Sequence, residues 1–301
     1  MDGILNILKP PGMTSFDVVA LLRGMLGTRK IGHAGTLDPL AAGVLPVCLG
    51  KATKAIEFMM EKDKYYRAEL TLGIATDTQD STGKAVSSAD PVCSDEDIRK
   101  AVNSFTGSYS QLPPMYSALR IDGKRLYDLA REGAEVERER RNVVIYSADV
   151  VDIDRSGGVR ALLDVHCSKG TYIRTLCADI GELLGCGGHM SFLLRKRAGP
   201  FDIDLAVTLE ELERRKRDGS LRSVLLDADT VFMQYESYTL DEIEEKKFRN
   251  GVEIDIMGQR DRDLVPPDTL RVYGASGNFM ALGTVNVTGG AWRLKVKKFF
   301  I

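Results

Sequence analysis

The sequence predicts an α+β protein: a main domain built on a largely antiparallel mixed sheet flanked by helices, followed by a small strand-rich domain. Three observations carry this. Residues 65–74 alternate apolar and polar without a break, as a half-buried strand does. Helix-entry residues followed by apolar spacing of three and four recur along the chain. Strands and helices follow one another without strict βαβ order, which disfavours a parallel doubly wound sheet. At 301 residues, the chain is long enough for one large domain and one small one.

The elements follow in order. Pro10-Pro11-Gly12 reads as a turn, after which Thr14 or Ser15 caps a helix with Phe16, Val19, Leu22 and Leu26 at helical spacing. In the alternating strand Tyr66, Ala68, Leu70, Leu72 and Ile74 share the apolar side, and Tyr65, Arg67, Glu69 and Thr71 the other. Ser94 and Asp95 open a helix to Phe105. The stretch 111–142, broken by Pro113-Pro114 and punctuated by Gly123 and Gly133, reads as a protruding insertion with a short helix over Leu126 to Arg131. Residues 143–153 and 160–168 read as strands. Tyr172 to Leu184 reads as a helix with Ile173, Leu176, Ile180, Leu183 and Leu184 inward, which leaves Arg174 near its start and off its apolar stripe. Thr208 and Glu211 form a capping box for the basic helix 209–217. The stretch 221–235 reads as linker, so the expected boundaries are 1–235 and 236–301. In the second part a short charged helix precedes strands at 270–273, 279–287 and 293–299.

Composition excludes several classes. The net charge of −2 gives no global attraction for nucleic acid, so a nucleic-acid protein must gather its cations on one face. Clusters exist at Arg138, Arg140 and Arg141, at Arg195, Lys196 and Arg197, at 214–217, and at Lys297 and Lys298. Taken singly, each is also what a solvated helix face or loop looks like. Five cysteines without a CxxC pair and three scattered histidines argue against a disulfide framework or a structural metal site. The start of the chain lacks the basic region and apolar core of a signal peptide, and no apolar run approaches the roughly 18 residues of a membrane span. The expected compartment is the cytoplasm, with thiols reduced.

One carboxylate stands out. Gly32-His33-Ala34-Gly35-Thr36-Leu37-Asp38-Pro39-Leu40-Ala41-Ala42-Gly43 sets Asp38 in a loop constrained by three glycines and a proline. By itself such a loop is an ordinary Asx turn. The stretch His33 to Gly43, however, resembles the signature of the TruB family of tRNA pseudouridine synthases. Further matches follow in family order: Lys9-Pro10-Pro11-Gly12-Met13-Thr14-Ser15, Lys64-Tyr65-Tyr66-Arg67, Gly73 to Asp80, Gln111 to Ala118, and Gly170-Thr171-Tyr172-Ile173-Arg174-Thr175. They extend to about Phe201, and the order of the series gives it more weight than any one motif.

The resemblance implies a pseudouridine synthase fold and an isomerase acting on the T-loop uridine of tRNA, position 55 by tRNA convention. It makes Asp38 the catalytic residue, as nucleophile or as base. Arg174 would be the cation keeping Asp38 ionised; at about 4 Å and an effective dielectric near 20 the attraction is about 4 kcal/mol before desolvation. Tyr66 would stack on the extruded base, with Tyr172 and Leu194 beside it. His33 would fill the gap left in the RNA, Asp80 would support Asp38, and Lys9, Lys51 and Lys54 would meet phosphates. Arg120 stands where the family commonly has lysine, which keeps the charge but changes the hydrogen-bond geometry. Core packing, turn formation and solvated charge remain the ordinary roles of these residue types. The strand-rich end resembles a small RNA-binding β-barrel of the PUA type. No cofactor, metal, membrane or obligate protein partner is expected, and the protein should be a monomer that grips the T stem-loop, closing the insertion over it. Three alternatives are an RNA-binding protein or tRNA folding chaperone, for which Asp38 is dispensable; a two-carboxylate glycoside-type hydrolase, for which the motif lacks a second acid; and a catalytic subunit of a guide-RNA complex, against which the lack of long basic tails speaks.

Overall fold

The computed structural model describes residues 1–117, 119–121, 123–134, 136–256, 268–288 and 291–301. The chain opens with β1 (Gly3–Lys9) and α1 (Ser15–Leu26). Strands β2 (Ile31–His33) and β3 (Ala42–Leu49) enclose the Asp38 loop. Helix α2 (Ile56–Met60) leads into β4 (Lys64–Leu72), and β5 (Ile74–Thr76) pairs with β6 (Ala85–Ser88) as a side hairpin. Helix α3 (Asp95–Ser104) and β7 (Gly107–Gln111) precede the insertion, which contains β8 (Arg120–Ile121), β9 (Lys124–Arg125) and α4 (Leu126–Arg131). Then come β10 (Arg141–Asp154), β11 (Arg160–Cys167), α5 (Ile173–Leu183), β12 (Gly188–Ala198), β13 (Phe201–Asp202), α6 (Leu209–Arg217) and β14 (Leu225–Leu226). The last stretch holds β15 (Ser237–Thr239), α7 (Glu242–Arg249), β16 (Ile254–Asp255), β17 (Thr269–Tyr273), β18 (Phe279–Thr288) and β19 (Ala291–Phe299).

The main sheet runs β14-β1-β3-β12-β4-β11-β10-β7, with β2 on β3 and β13 on β12. Along this path only the β3–β12 pair is parallel, where Leu194 faces Ala42 and Arg195 faces Gly43. This is the mixed, largely antiparallel sheet that the sequence predicts. Its apolar face carries Leu5, Ile7, Leu45, Ala68, Leu70 and Leu163 against α1, α3 and α5. The alternation of β4 is as expected, with Tyr66, Ala68, Leu70 and Leu72 buried. A second sheet, ordered β15-β17-β18-β19-β16, curls into a half-barrel around Leu270, Val272, Met280, Trp292 and Leu294.

Several expectations need correction. Phe16 is 63% exposed beneath the Arg23 guanidinium, and Val18 takes the inward position beside Val19 and Leu22. Ile74 leaves the β4 face because Gly73, at φ +93°, ends that strand and starts the side hairpin. Leu183 is exposed and Cys177 buried in its stead, since the inward stripe of α5 follows Ile173, Leu176, Cys177 and Ile180. Thr208 does accept from the Glu211 amide, but the Glu211 carboxylate is taken by Arg214 and Arg215 rather than closing the box. The stretch 221–235 is no loose linker. Leu225 and Leu226 add β14 to the edge of β1, and Phe232 is buried edge-on to Phe58 and against Phe279 and Phe300, joining the two sheets.

Candidate active site

The Asp38 loop is held by its backbone. Ser15 Oγ accepts from the Leu37 amide at 2.8 Å and donates to the Leu37 carbonyl at 3.1 Å. The Gly12 amide donates to the Pro39 carbonyl, and the Ala34 amide to the Pro46 carbonyl. Arg195, only 1% exposed, reaches from β12 and donates to the carbonyls of Val44 at 2.7 Å and Gly35 at 2.9 Å. With Leu37 and Ala41 buried on either side, Asp38 has nowhere to go but outward. Two glycines are required here. Gly35 has φ +89°, and a Cβ on Gly43 (φ +113°) would lie 2.3 Å from the Arg195 carbonyl oxygen, inside the parallel seam.

Asp38 stands at the mouth of a cavity of about 310 Å³, lined among others by Lys64, Tyr66, Ser117, Tyr172, Arg174 and Leu193. Arg174 is the second residue of α5, an electrostatically poor site for a cation on its own account. Two carboxylates compensate. Arg174 Nε meets Asp38 Oδ2 at 3.0 Å, and Nη1 lies 3.5 Å from Asp80 Oδ2. Nη1 also donates to the Thr78 carbonyl and Nη2 to the Tyr116 carbonyl at 2.7 Å, so contacts on all three nitrogens hold the guanidinium in one orientation. Asp80 is itself fixed, accepting from the Thr82 amide and the Thr78 hydroxyl. The start of α5 is set by Gln111, whose buried amide donates to the Tyr172 carbonyl and accepts from the Tyr172 amide.

Burial tunes the other groups. It pushes the phenols of Tyr66 and Tyr172 above their ordinary range, which keeps both neutral. It lowers Lys64 to about 8, helped by repulsion from Arg195. Lys64 Nζ donates to the Met60 carbonyl at 3.0 Å and to the Lys62 carbonyl. His33 is lowered by burial and by Arg195.

Of the sequence-predicted residues, Asp38, Tyr66, Arg174 and Tyr172 come together around one cavity, and Asp80 stands behind Arg174. The others part from that group. Leu194 does not line the cavity; Leu193 does, because register shifts at Met190/Phe192 and Arg195/Arg197 flank a stretch in which residues 193 and 195 face inward. Lys9 is wholly buried, its ammonium donating to the Pro10 and Met13 carbonyls, so it braces the turn after β1 instead of meeting phosphate. His33 lies outside the cavity lining, at the end of β2. The Arg120 side chain lies outside the described residues; its backbone is in β8. Arg195 belongs to no surface cluster, unlike Lys196 and Arg197 beside it. Ser15 and Gln111 sit within the motifs quoted above, yet their buried roles depend on Leu37 and Tyr172, far along the chain. Among the described residues no group of three His, Cys, Asp or Glu side chains could hold a metal, and no helix is long and apolar enough to cross a membrane.

The chain is similar to known proteins along most of its length. The N-terminal domain model of the TruB family pseudouridylate synthases matches residues 23–173, and that of the tRNA pseudouridylate synthase B C-terminal domain matches 174–233. The chain is 51% identical over 251 residues to tRNA pseudouridine synthase B of Alkaliphilus oremlandii, covering 83% of this chain and 82% of that one. It is 44% identical over 308 residues to the protein of that name from Clostridioides difficile, covering 100% of both. Among solved structures, an H/ACA RNP bound to a substrate RNA containing 2′-deoxyuridine matches with a TM-score of 0.73 at 25% identity. That match covers 99% of this chain and 85% of the other. The archaeal box H/ACA sRNP Nop10-Cbf5 complex matches with a TM-score of 0.72 at 26% identity, covering 99% of this chain and 86% of the other.

Proposed function

Because the chain belongs to the TruB family of tRNA pseudouridine synthases, we propose that the Asp38 cavity receives the T-loop uridine at position 55 of tRNA, extruded from its stack. The protein is an isomerase that makes pseudouridine in tRNA. The bond from N1 to C1′ breaks and one from C5 to C1′ forms; C5 loses a proton and N1 gains one, so no atoms are added overall. The chemistry needs a carboxylate that is ionised and aimed at the nucleoside. The observation carrying the proposal is the 3.0 Å contact between Arg174 Nε and Asp38 Oδ2 at the cavity mouth. Arg174 pairs with the Asp38 carboxylate, and Asp80 holds Arg174 in place. Water screens this pair in part, since the Asp38 side chain is 39% exposed before RNA arrives. A docked base would exclude that water and strengthen the pair.

Tyr66 offers a ring on which the base stacks, with Tyr172 and Leu193 enclosing it. His33, at the end of β2, fills the space the base vacates in the RNA. The stretch 1–235 acts as the catalytic domain, the insertion 111–142 grips the T-arm, and 236–301 is a PUA-type RNA-binding domain. The protein works in the cytoplasm as a monomer, with neither cofactor nor protein partner. The test is to incubate the pure protein with an unmodified T-arm stem-loop and map pseudouridine. Conversion of the loop uridine by the natural protein, and its loss in Asp38→Asn with RNA binding kept, is the expected result. Conversion by Asp38→Asn at the natural rate would overturn the assignment.

A further inference from the structure

A nucleotide whose base enters the Asp38 cavity brings a charged phosphodiester on each side of its ribose. The cations lining the cavity are already engaged. Arg174 is held by Asp38, Asp80 and two carbonyls, Arg195 by the carbonyls of Gly35 and Val44, and Lys64 by those of Met60 and Lys62. Lys169, between the lining residues Ser168 and Gly170, is paired with Glu61. Arg141 is different. It opens β10 on the same face as the buried Val143 and Ile145, directly across from Gln111 of β7. The Gln111 amide group in turn bonds the Tyr172 backbone at 2.8 and 2.9 Å, and Tyr172 lines the cavity. Arg141 is thus one cross-strand neighbour from the residue that clamps the cavity wall. The Tyr172 phenol feels both its charge and that of Asp38. The nearby arginines donate to main-chain carbonyls, Arg138 to Pro113 and Arg140 to Ser110. Arg141 is exposed and has no hydrogen-bond or ion-pair partner among the described residues.

We infer that Arg141 binds a phosphate flanking the extruded uridine, its guanidinium holding the non-bridging oxygens while the base enters beside Tyr172. This rests on the reading of the cavity as the uridine pocket. A guanidinium presents paired N–H donors that match two phosphate oxygens, and it stays charged at any working pH. Gln111 ties this strand pair to the start of α5, so the phosphate is held at a fixed offset from Arg174 and Asp38. The contact sets the position of the nucleotide and carries no preference among bases.

The test compares natural protein, Arg141→Ala and Arg141→Lys in binding a T-arm stem-loop over a salt series. The same RNA is also made with a neutral methylphosphonate on the 5′ or the 3′ side of the target uridine. Arg141→Ala should bind about tenfold more weakly, the effect of one charge-assisted hydrogen bond. Its slope of log affinity against log salt should be shallower by about 0.7–0.9, one phosphate contact. Arg141→Lys should keep the slope and lose part of the affinity. On one of the two neutralised RNAs the natural protein should fall to the level of Arg141→Ala, which should lose nothing further. Unchanged affinity in Arg141→Ala overturns the inference. So does a tenfold gap that persists on both neutralised RNAs, or a lowered melting temperature, which marks a structural arginine. Natural protein that leaves the uridine stem-loop unmodified overturns the pocket reading itself, a different failure from an active natural protein with an unaffected variant.

Discussion

The two walls of the Asp38 cavity are built differently. The wall from residues 35–38 rests on the centre of the main sheet, and its backbone is fixed by Gly12 and Ser15 from one part of the chain and by the Arg195 side chain from another. The opposite wall, Tyr116 and Ser117, hangs from the insertion and is tied down by the Arg174 guanidinium and the Tyr127 amide. Asp38, the carboxylate proposed to react, sits on the wall with more anchors. Precision is needed where bonds change, whereas a segment that must admit a folded RNA loop has to be releasable.

Substitutions can break this contrast, and the largest effect is expected on the fixed wall. Asp38→Asn should lower the isomerisation rate at least about 10³-fold while leaving RNA affinity near its natural value, read by single-turnover mapping and filter binding. Arg174→Lys should cost at least about 10²-fold in kcat, because an ammonium cannot span Asp38, Asp80 and the Thr78 and Tyr116 carbonyls together. Gly43→Ala should destabilise the fold by about 2–4 kcal/mol in chemical denaturation, since its Cβ meets the Arg195 backbone at a positive φ. On the hanging wall, limited proteolysis within 120–142 should slow when T-arm RNA is added; equal cleavage with and without RNA would erase the distinction between the walls.

The smallest expected effect concerns pH. Burial lowers the His33 pKa below its ordinary 6.5. Below that pH the unfolded chain takes up a proton that the folded chain refuses, so the His33 contribution to stability is present above pH 6.5 and lost as pH falls below it. His33→Gln should therefore show a flatter decline in melting temperature than the natural protein between pH 7 and pH 5.5.

The legibility of the sequence follows the same division between local and distant causes. The α3 cap at Ser94, the inward phase of β4 and the short helix Leu126–Arg131 depend on neighbours within a few residues, and each reads directly from the sequence. Lys9 and Arg195 look like surface cations because charge favours water. Their burial depends on carbonyls that already lacked partners, in the turn beyond β1 and in the Asp38 loop. Leu193 and not Leu194 lines the cavity because bulges in β12 reset its alternation, which composition does not reveal. The stretch 221–235 looks like linker because its two-residue strand is too short to show a period. The site's members are visible as motifs, but their partners are not, because Arg174 and Asp38 are brought together only by the sheet.

The anchor that Arg195 provides lies about 160 residues beyond the glycine it holds. During synthesis, a nascent chain that has passed Asp38 still lacks the seam that stiffens the turn bearing it. A ribosome must deliver β12 before that carboxylate has a fixed direction, and such long-range closure is a slow step in folding. Premature termination anywhere before Arg195 would thus release a polypeptide carrying Asp38 on a turn without its distant anchor.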